Sequence, residues 1–236
     1  MTVKRNGQPR RSLSWSTAIL VLIVALEVGA LGVLAFHLTR GNDELGRTVS
    51  SRIHGPPTRL PAGTAFVRSR VVAPDTIMVT HWIHAGRDVR ALRMQVPKVP
   101  GLGPRAISVS DLVVISDGRS IPQAAPPQGR VAATYVLPPG RHVYVSYLLT
   151  GAIRSHGSGN ARAVARITAL RVSTPPVLLR DITHSVVGAR DLALACAPRL
   201  PTAVPRTCGG PAGGGWRVEL RGVRKGDRVL ARMKLP

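Results

Sequence analysis

Two hydrophobic rhythms divide the chain. The first is continuous: Ala18 to Phe36, AILVLIVALEVGALGVLAF, runs for nineteen residues with a single charged side chain, Glu27. A helix rises about 1.5 Å per residue, so this run reaches roughly 28 Å, close to the thickness of a bilayer's hydrocarbon core. It predicts a transmembrane helix over residues 13–37. The second rhythm is an alternation of period two. In His142 to Leu149 (HVYVSYLL), Val143, Val145, Tyr147 and Leu149 fall on one face and His142, Tyr144 and Ser146 on the other. In Arg228 to Leu235 (RVLARMKL), Val229, Ala231, Met233 and Leu235 alternate with charged positions. Period two with polar residues on alternate positions is the mark of a half-buried strand. Arg217 to Arg221 (RVELR) is a third case, and Arg224-Lys225-Gly226-Asp227 predicts a hairpin turn joining it to the last strand.

Fainter alternation marks Thr64 to Ala73, Thr76 to His84, Val89 to Val96, Ile107 to Ser116, Arg130 to Leu137 and Val177 to His184. Asp117-Gly118 and Pro138-Pro139-Gly140 supply turn signals between them. Ala161 to Val172 mixes helix-forming alanine and arginine with a strand-like second half. Its neighbours, and the loop Gly157-Ser158-Gly159-Asn160 before it, favour a strand. Short strands at regular spacing predict a mainly β chain: one N-terminal transmembrane helix, then an extracytoplasmic β-sandwich of immunoglobulin-like type. The domain reading is therefore a basic cytoplasmic tail (1–12), a transmembrane signal anchor (13–37), a proline-bearing linker (38–62) and the β-sandwich domain (63–236).

Charge sets the orientation. Lys4, Arg5, Arg10 and Arg11 precede the span without an acidic residue, whereas Arg40 and Arg47 after it are balanced by Asp43 and Glu44. Positive charge near a span end stays cytoplasmic, and long domains translocate largely regardless of charge. The N-terminus is thus expected inside and the body outside, with retention as an anchor favoured because the run exceeds a signal-peptide core. Cleavage after Ala30-Leu31-Gly32 or Val33-Leu34-Ala35 is the alternative, and Arg10-Arg11 has the form of a twin-arginine signal. A carboxylate near the bilayer centre costs about 2.5 to 3.5 kcal/mol and usually faces a partner. Glu27 is accordingly a candidate intramembrane contact, against the alternative that its apolar neighbours carry it in protonated form. Ala25 and Gly29 form a small-xxx-small pair that lets another helix approach on the opposite face.

Residues 38–236 carry 29 Lys and Arg against 10 Asp and Glu, a net of +19. Such a field attracts polyanions. Outside the cytoplasm these are lipid headgroups and anionic envelope polymers, so no nucleic acid is expected. The excess of 29 arginines over 4 lysines is also the bias of a GC-rich bacterial genome, which weakens the case that each arginine serves a ligand. Cys196 and Cys208, with eleven residues between them, predict one structural disulfide of an oxidising compartment.

The candidate catalytic and metal motifs are weak. His81 and His84, with Met78 near, offer imidazole and thioether for copper, but residues three apart on a strand point to opposite faces. Ser158 lacks the spacing of a nucleophile elbow. Asp111 and Asp117 are the nearest acidic pair, and Asp117 fits a turn before Gly118. Gly213-Gly214-Gly215 has no lysine or helix of a phosphate loop behind it. Trp15 fits an interfacial anchor, and Trp82 and Trp216 fit a core. No catalytic residue, metal or cofactor is assigned. The expected function is that of a non-enzymatic single-pass membrane protein, whose β domain makes protein contacts at the bacterial cell envelope as an accessory or assembly subunit of a membrane complex. The expected partners are the lipid bilayer and another membrane protein. A module binding anionic envelope polymers or lipid headgroups is the alternative, and an exported hydrolase a third.

Overall fold

A computed structural model describes residues 55–97, 106–122, 124–129, 131–156, 162–197, 204–222 and 227–235. The span at 18–36 and the charges flanking it lie outside these residues. Among the described residues no helix is long and apolar enough to cross a membrane. What they form is mainly β, in two sheets.

The larger sheet is built around three strands, β1 (Thr64–Ala73), β2 (Thr76–Gln95) and β5 (Ala133–Thr150), with β3 (Ser108–Ser116) and the short β4 (Arg119–Ser120) beyond β5. On the other side of β1 lie β9 (Asp181–Val187), β13 (Gly215–Arg221) and β12 (Gly210–Ala212), while β8 (Arg171–Ser173) pairs with the far end of β2. The β1–β9 pair is parallel. The smaller sheet orders β11 (Arg206–Cys208), β10 (Arg190–Ala197), β14 (Arg228–Lys234), β7 (Arg162–Ala165) and β6 (Ile153–His156).

The strongest alternations give the burial they predict. Val143, Val145, Tyr147 and Leu149 are buried on one face of β5, and Val229, Ala231 and Met233 on one face of β14. These residues join Val79, Ile83 and Leu194 in one core shared by both sheets. Asp117 and Gly118, both at positive φ (43° and 79°), make the tight turn from β3 into β4.

Three expectations are corrected. β13 and β14 are not a hairpin: β13 pairs with β9 and β12 in the larger sheet, and β14 with β10 and β7 in the smaller. A turn signal between two alternating runs specifies a reversal, and it does not specify that the runs pair with each other. Thr76–His84 and Val89–Val96 are one strand, β2. Arg130–Leu137 and His142–Leu149 merge likewise into β5, so that Pro138-Pro139-Gly140 bends a strand instead of ending it. The reason is register: irregularities near Val89 in β2 lie opposite Gly140 in β5, and both strands bend together. β3 pairs with β5 no further than Val143, and toward β2 the register skips from Gly140 to Val136, so Pro138 and Pro139 have no paired neighbour on either side and their missing N–H groups cost no ladder bond.

The third correction concerns Ala161–Val172, which is two strands in two sheets. Between β7 and β8 the buried residues Ile167, Thr168, Ala169 and Leu170 cross from one sheet to the other. Their polar groups are satisfied on the way: Ser69 Oγ donates to Thr168 O (2.7 Å), Thr168 Oγ1 to Val229 O (3.3 Å) and Leu170 N to the Tyr147 hydroxyl (2.7 Å). The cysteines pair as expected, and they join neighbouring strands. Cys196 on β10 and Cys208 on β11 form the disulfide, with Cα atoms 5.7 Å apart.

Candidate functional site

The strand β2 carries both sequence-flagged histidines, and the pleat sends them to opposite faces as expected. His81 points into the core with Ile77, Val79 and Ile83. There its Nε2 meets the Tyr147 hydroxyl at 2.9 Å, with the rings stacked at 5.7 Å. Tyr147 already accepts from Leu170 N. The arrangement that strands no proton therefore has the hydroxyl donating to Nε2, with His81 protonated at Nδ1. His184 on β9 is half-buried on the same face, with β1 between the two: Val67 is in register with both His81 and His184. Burial, with a contribution from His184, pushes His81 down to about 3, and burial pushes His184 down to about 4. Both are neutral imidazoles at neutral pH. Nδ1 of His184 has no hydrogen-bond partner among the described residues.

His84 emerges on the outer face, half-buried, directly opposite His142 of β5. The two rings stack with centroids 4.5 Å apart and an interplanar angle of 23°. Each is tethered through Nδ1. His84 lies 2.9 Å from the Leu60 carbonyl and His142 lies 3.2 Å from Asp117 Oδ1. A carbonyl and a carboxylate only accept, so both rings carry their proton on Nδ1.

Asp117 reaches this position because its turn lays the carboxylate along β5. Its Oδ2 accepts from Arg141 N at 2.9 Å and its Oδ1 from His142 N at 3.0 Å. Partial burial pushes the Asp117 carboxyl up, but these two amides and His142 outweigh it and hold it below the ordinary carboxylate range. Gly140 makes room, since a Cβ there would lie 2.6 Å from Ser116 Oγ and 2.7 Å from Asp117 Oδ2. Beside the cluster, exposed Arg141 and Asp88 pair at 3.2 Å.

The other flagged residues are scattered. Met78 shares the outer face with His84 but lies six residues away, about 20 Å along the strand. Asp111, in the irregular part of β3 at φ 51°, is equally far from Asp117. Trp216 packs half-buried on the core and donates to Cys208 O at 2.7 Å, beside the disulfide. Trp82 is buried, on the outer face, in an edge-to-face row with Phe66 and Tyr144. Ser158, Trp15, Glu27, Ala25, Gly29, Lys4, Arg5, Arg10 and Arg11 lie outside the described residues. His142 and His184 were missed in the sequence. His142 stood on the polar side of its strand without a visible partner, and only strand pairing supplies one.

Fold and disulfide together define a mainly β, two-sheet protein with one staple between neighbouring strands. No protein-family profile and no curated protein matches the chain. Among solved structures it is similar to an aminopeptidase N family protein from Idiomarina loihiensis, with 10% identity and a TM-score of 0.45. That match covers 72% of this chain and 29% of the other, so the chain spans less than a third of that protein's length.

Proposed function

We propose that the chain is a non-enzymatic, single-pass membrane protein whose β domain, an immunoglobulin-like sandwich, makes protein contacts on the outer side of the membrane as an accessory or assembly subunit of a membrane complex. The observation that carries this reading is the disulfide between Cys196 and Cys208 in a chain whose N-terminal part holds a nineteen-residue apolar run. Structural disulfides persist in oxidising compartments, and an apolar run of that length is sufficient for an anchor. Glu27 within the run supplies a reason for a partner helix.

Purification of the intact protein from its native membrane in mild detergent, beside Glu27→Gln, with mass spectrometry at two salt concentrations, tests it. A stoichiometric membrane protein that survives salt and is lost in the variant supports the reading. Absence of any protein partner at both salt concentrations overturns it.

A second reading is favoured by a specific observation. Arg68 and Arg70 on β1 and Arg217 on β13 lie on the outer face of the larger sheet, Arg68 and Arg217 in register through Ser185. With a net of +19 over residues 38–236, this row supports binding of anionic envelope polymers or headgroups. Such binding collapses between low and moderate ionic strength, and a packed protein interface does not.

A further inference from the structure

We propose that one end of the larger sheet's outer face docks on an anionic lipid bilayer, with Met78 entering the acyl boundary and Arg68, Arg70 and Arg217 meeting lipid phosphates. The proposal rests on the second reading above and chooses the bilayer among the anions that reading allows. Register across the sheet lays the residues out in rows. The end row runs Gly215, Val187, Arg70, Met78, Leu148 and Ser110, each in register with the next. Within it Met78 is 40% exposed, and Val187 and Leu148 are half-buried. Val72, 48% exposed, follows two residues after Arg70, and exposed Pro74 lies in the adjoining turn. A single apolar side chain on a surface is ordinary, whereas several gathered at one end of a face and rimmed by charge mark an interaction site.

The next row inward, about 7 Å along the strands, holds Arg217, Ser185, Arg68, Thr80 and Ser146. Arg68 and Arg70 are exposed, and the Arg217 guanidinium lies over the Phe66 ring, 5.7 Å from its centroid. The two rows match the profile of a bilayer surface: apolar side chains sink about 5 to 10 Å into the headgroup boundary, and arginines one row behind them stand at phosphate depth. A free polymer offers anionic groups without an apolar layer, so the exposed Met78 and Val72 favour the bilayer. Two carboxylates border the end row, and each accepts from a neighbouring hydroxyl, Asp75 from Thr76 (2.8 Å) and Asp111 from Ser110 (3.1 Å). Asp181 and Glu219 lie farther from that end, the latter paired with Arg221. Chain length permits the contact. Between Phe36, where the apolar run ends, and Thr64 there is chain enough to extend up to about 90 Å, against about 30 Å for the whole of β1.

The test is NMR of the full-length protein in lipid nanodiscs, with carbon-13 in the methyl groups of its four methionines. The discs are of phosphatidylcholine alone or mixed with phosphatidylglycerol, and carry a trace of lipid with a gadolinium chelate on its headgroup. Met78 lies in the proposed contact, while the shifts of buried Met94 and Met233 report that each variant remains folded. In phosphatidylglycerol discs the gadolinium should broaden Met78 more than Met94 or Met233, and in phosphatidylcholine discs it should not. Arg68→Gln and Arg70→Gln should each lower the docked-to-undocked ratio about fivefold, because a basic residue at an anionic surface contributes about 1 kcal/mol. Arg206→Gln, on β11 of the smaller sheet, is the control and leaves the ratio unchanged. A Met78 signal that stays sharp in phosphatidylglycerol discs, or broadens equally in both lipids, overturns the proposal. Soluble polyphosphate added to phosphatidylcholine discs separates this failure from that of the second reading. If Met78 shifts with polyphosphate alone, and the arginine variants abolish the shift, the polymer reading stands and the bilayer contact falls; no response to either removes both.

Discussion

His81 and His84 stand three residues apart on one strand and illustrate what a sheet does to identical side chains. His81 is sealed in the core, bonded to Tyr147 and neutral down to about pH 3. His84 lies on the other face, stacked on His142 at 4.5 Å, with its proton held by a main-chain carbonyl. The inner imidazole belongs to the stability of the fold. The outer one keeps solvent and a second histidine within reach. Burial decides the difference, because desolvation penalises the charged form inside and leaves the outer pair its solvent and its acceptors.

The largest effect that would sharpen this contrast is expected at Tyr147. Tyr147→Phe leaves both His81 Nε2 and Leu170 N buried without partners, at about 1 to 3 kcal/mol for each. Urea unfolding of the full-length protein at pH 7.5 should show a loss of about 3 kcal/mol. A loss under about 1 kcal/mol would mean that the buried network is not a stabilising unit.

Acid comes next. His81 and His184 are depressed to about 3 and about 4 in the fold, against about 6.5 in the unfolded chain. Below pH 6.5 the unfolded state binds protons that the folded state refuses, so their contribution is fully present above pH 6.5. It falls by roughly 1 kcal/mol per pH unit for each histidine as pH drops toward 4. Urea midpoints measured between pH 6.5 and 5, above most carboxylate titration, should decline, and His184→Leu should remove about half of the slope. An unchanged slope in that variant would show that the fold does not hold His184 neutral.

Smaller again is Gly140→Ala. Its methyl group must displace Ser116 Oγ and Asp117 Oδ2, at a cost of about 1 to 2 kcal/mol, and it should shift the NMR signals of His142 while leaving those of His81 in place. The smallest effect belongs to the exposed ion pair: Arg141→Ala should change stability by less than about 1 kcal/mol, because both partners are more than half exposed and solvent screens them. A larger change on denaturation would mean that the outer cluster is as structural as the inner one.

How far these features were legible follows from how each is encoded. Val143, Val145, Tyr147 and Leu149 could be read as one inward face because alternation is local. The opposite orientations of His81 and His84 followed from the same pleat. Asp117-Gly118 could be read as a turn, since both positions take positive φ. The merging of β5 through Pro138-Pro139-Gly140 was hidden, because a proline is tolerated or not according to whether the neighbouring strand needs its N–H, and that neighbour lies elsewhere in the chain. The pairing of His84 with His142 was hidden for the same reason: fifty-eight positions separate them, and only register brings them together.

By itself, then, the sequence determined the mainly β character, the inward faces of the strongest strands and the cysteine pair, since period-two patterning acts within a few residues and only two cysteines were there to pair. The tertiary structure alone decided that β13 and β14 enter different sheets, that residues 166–170 cross between them, and that two distant histidines share one corner of the outer face. Those outcomes depend on which strand lies beside which, and strand pairing is settled by the burial of a common core and by the hydrogen-bonding needs of every edge.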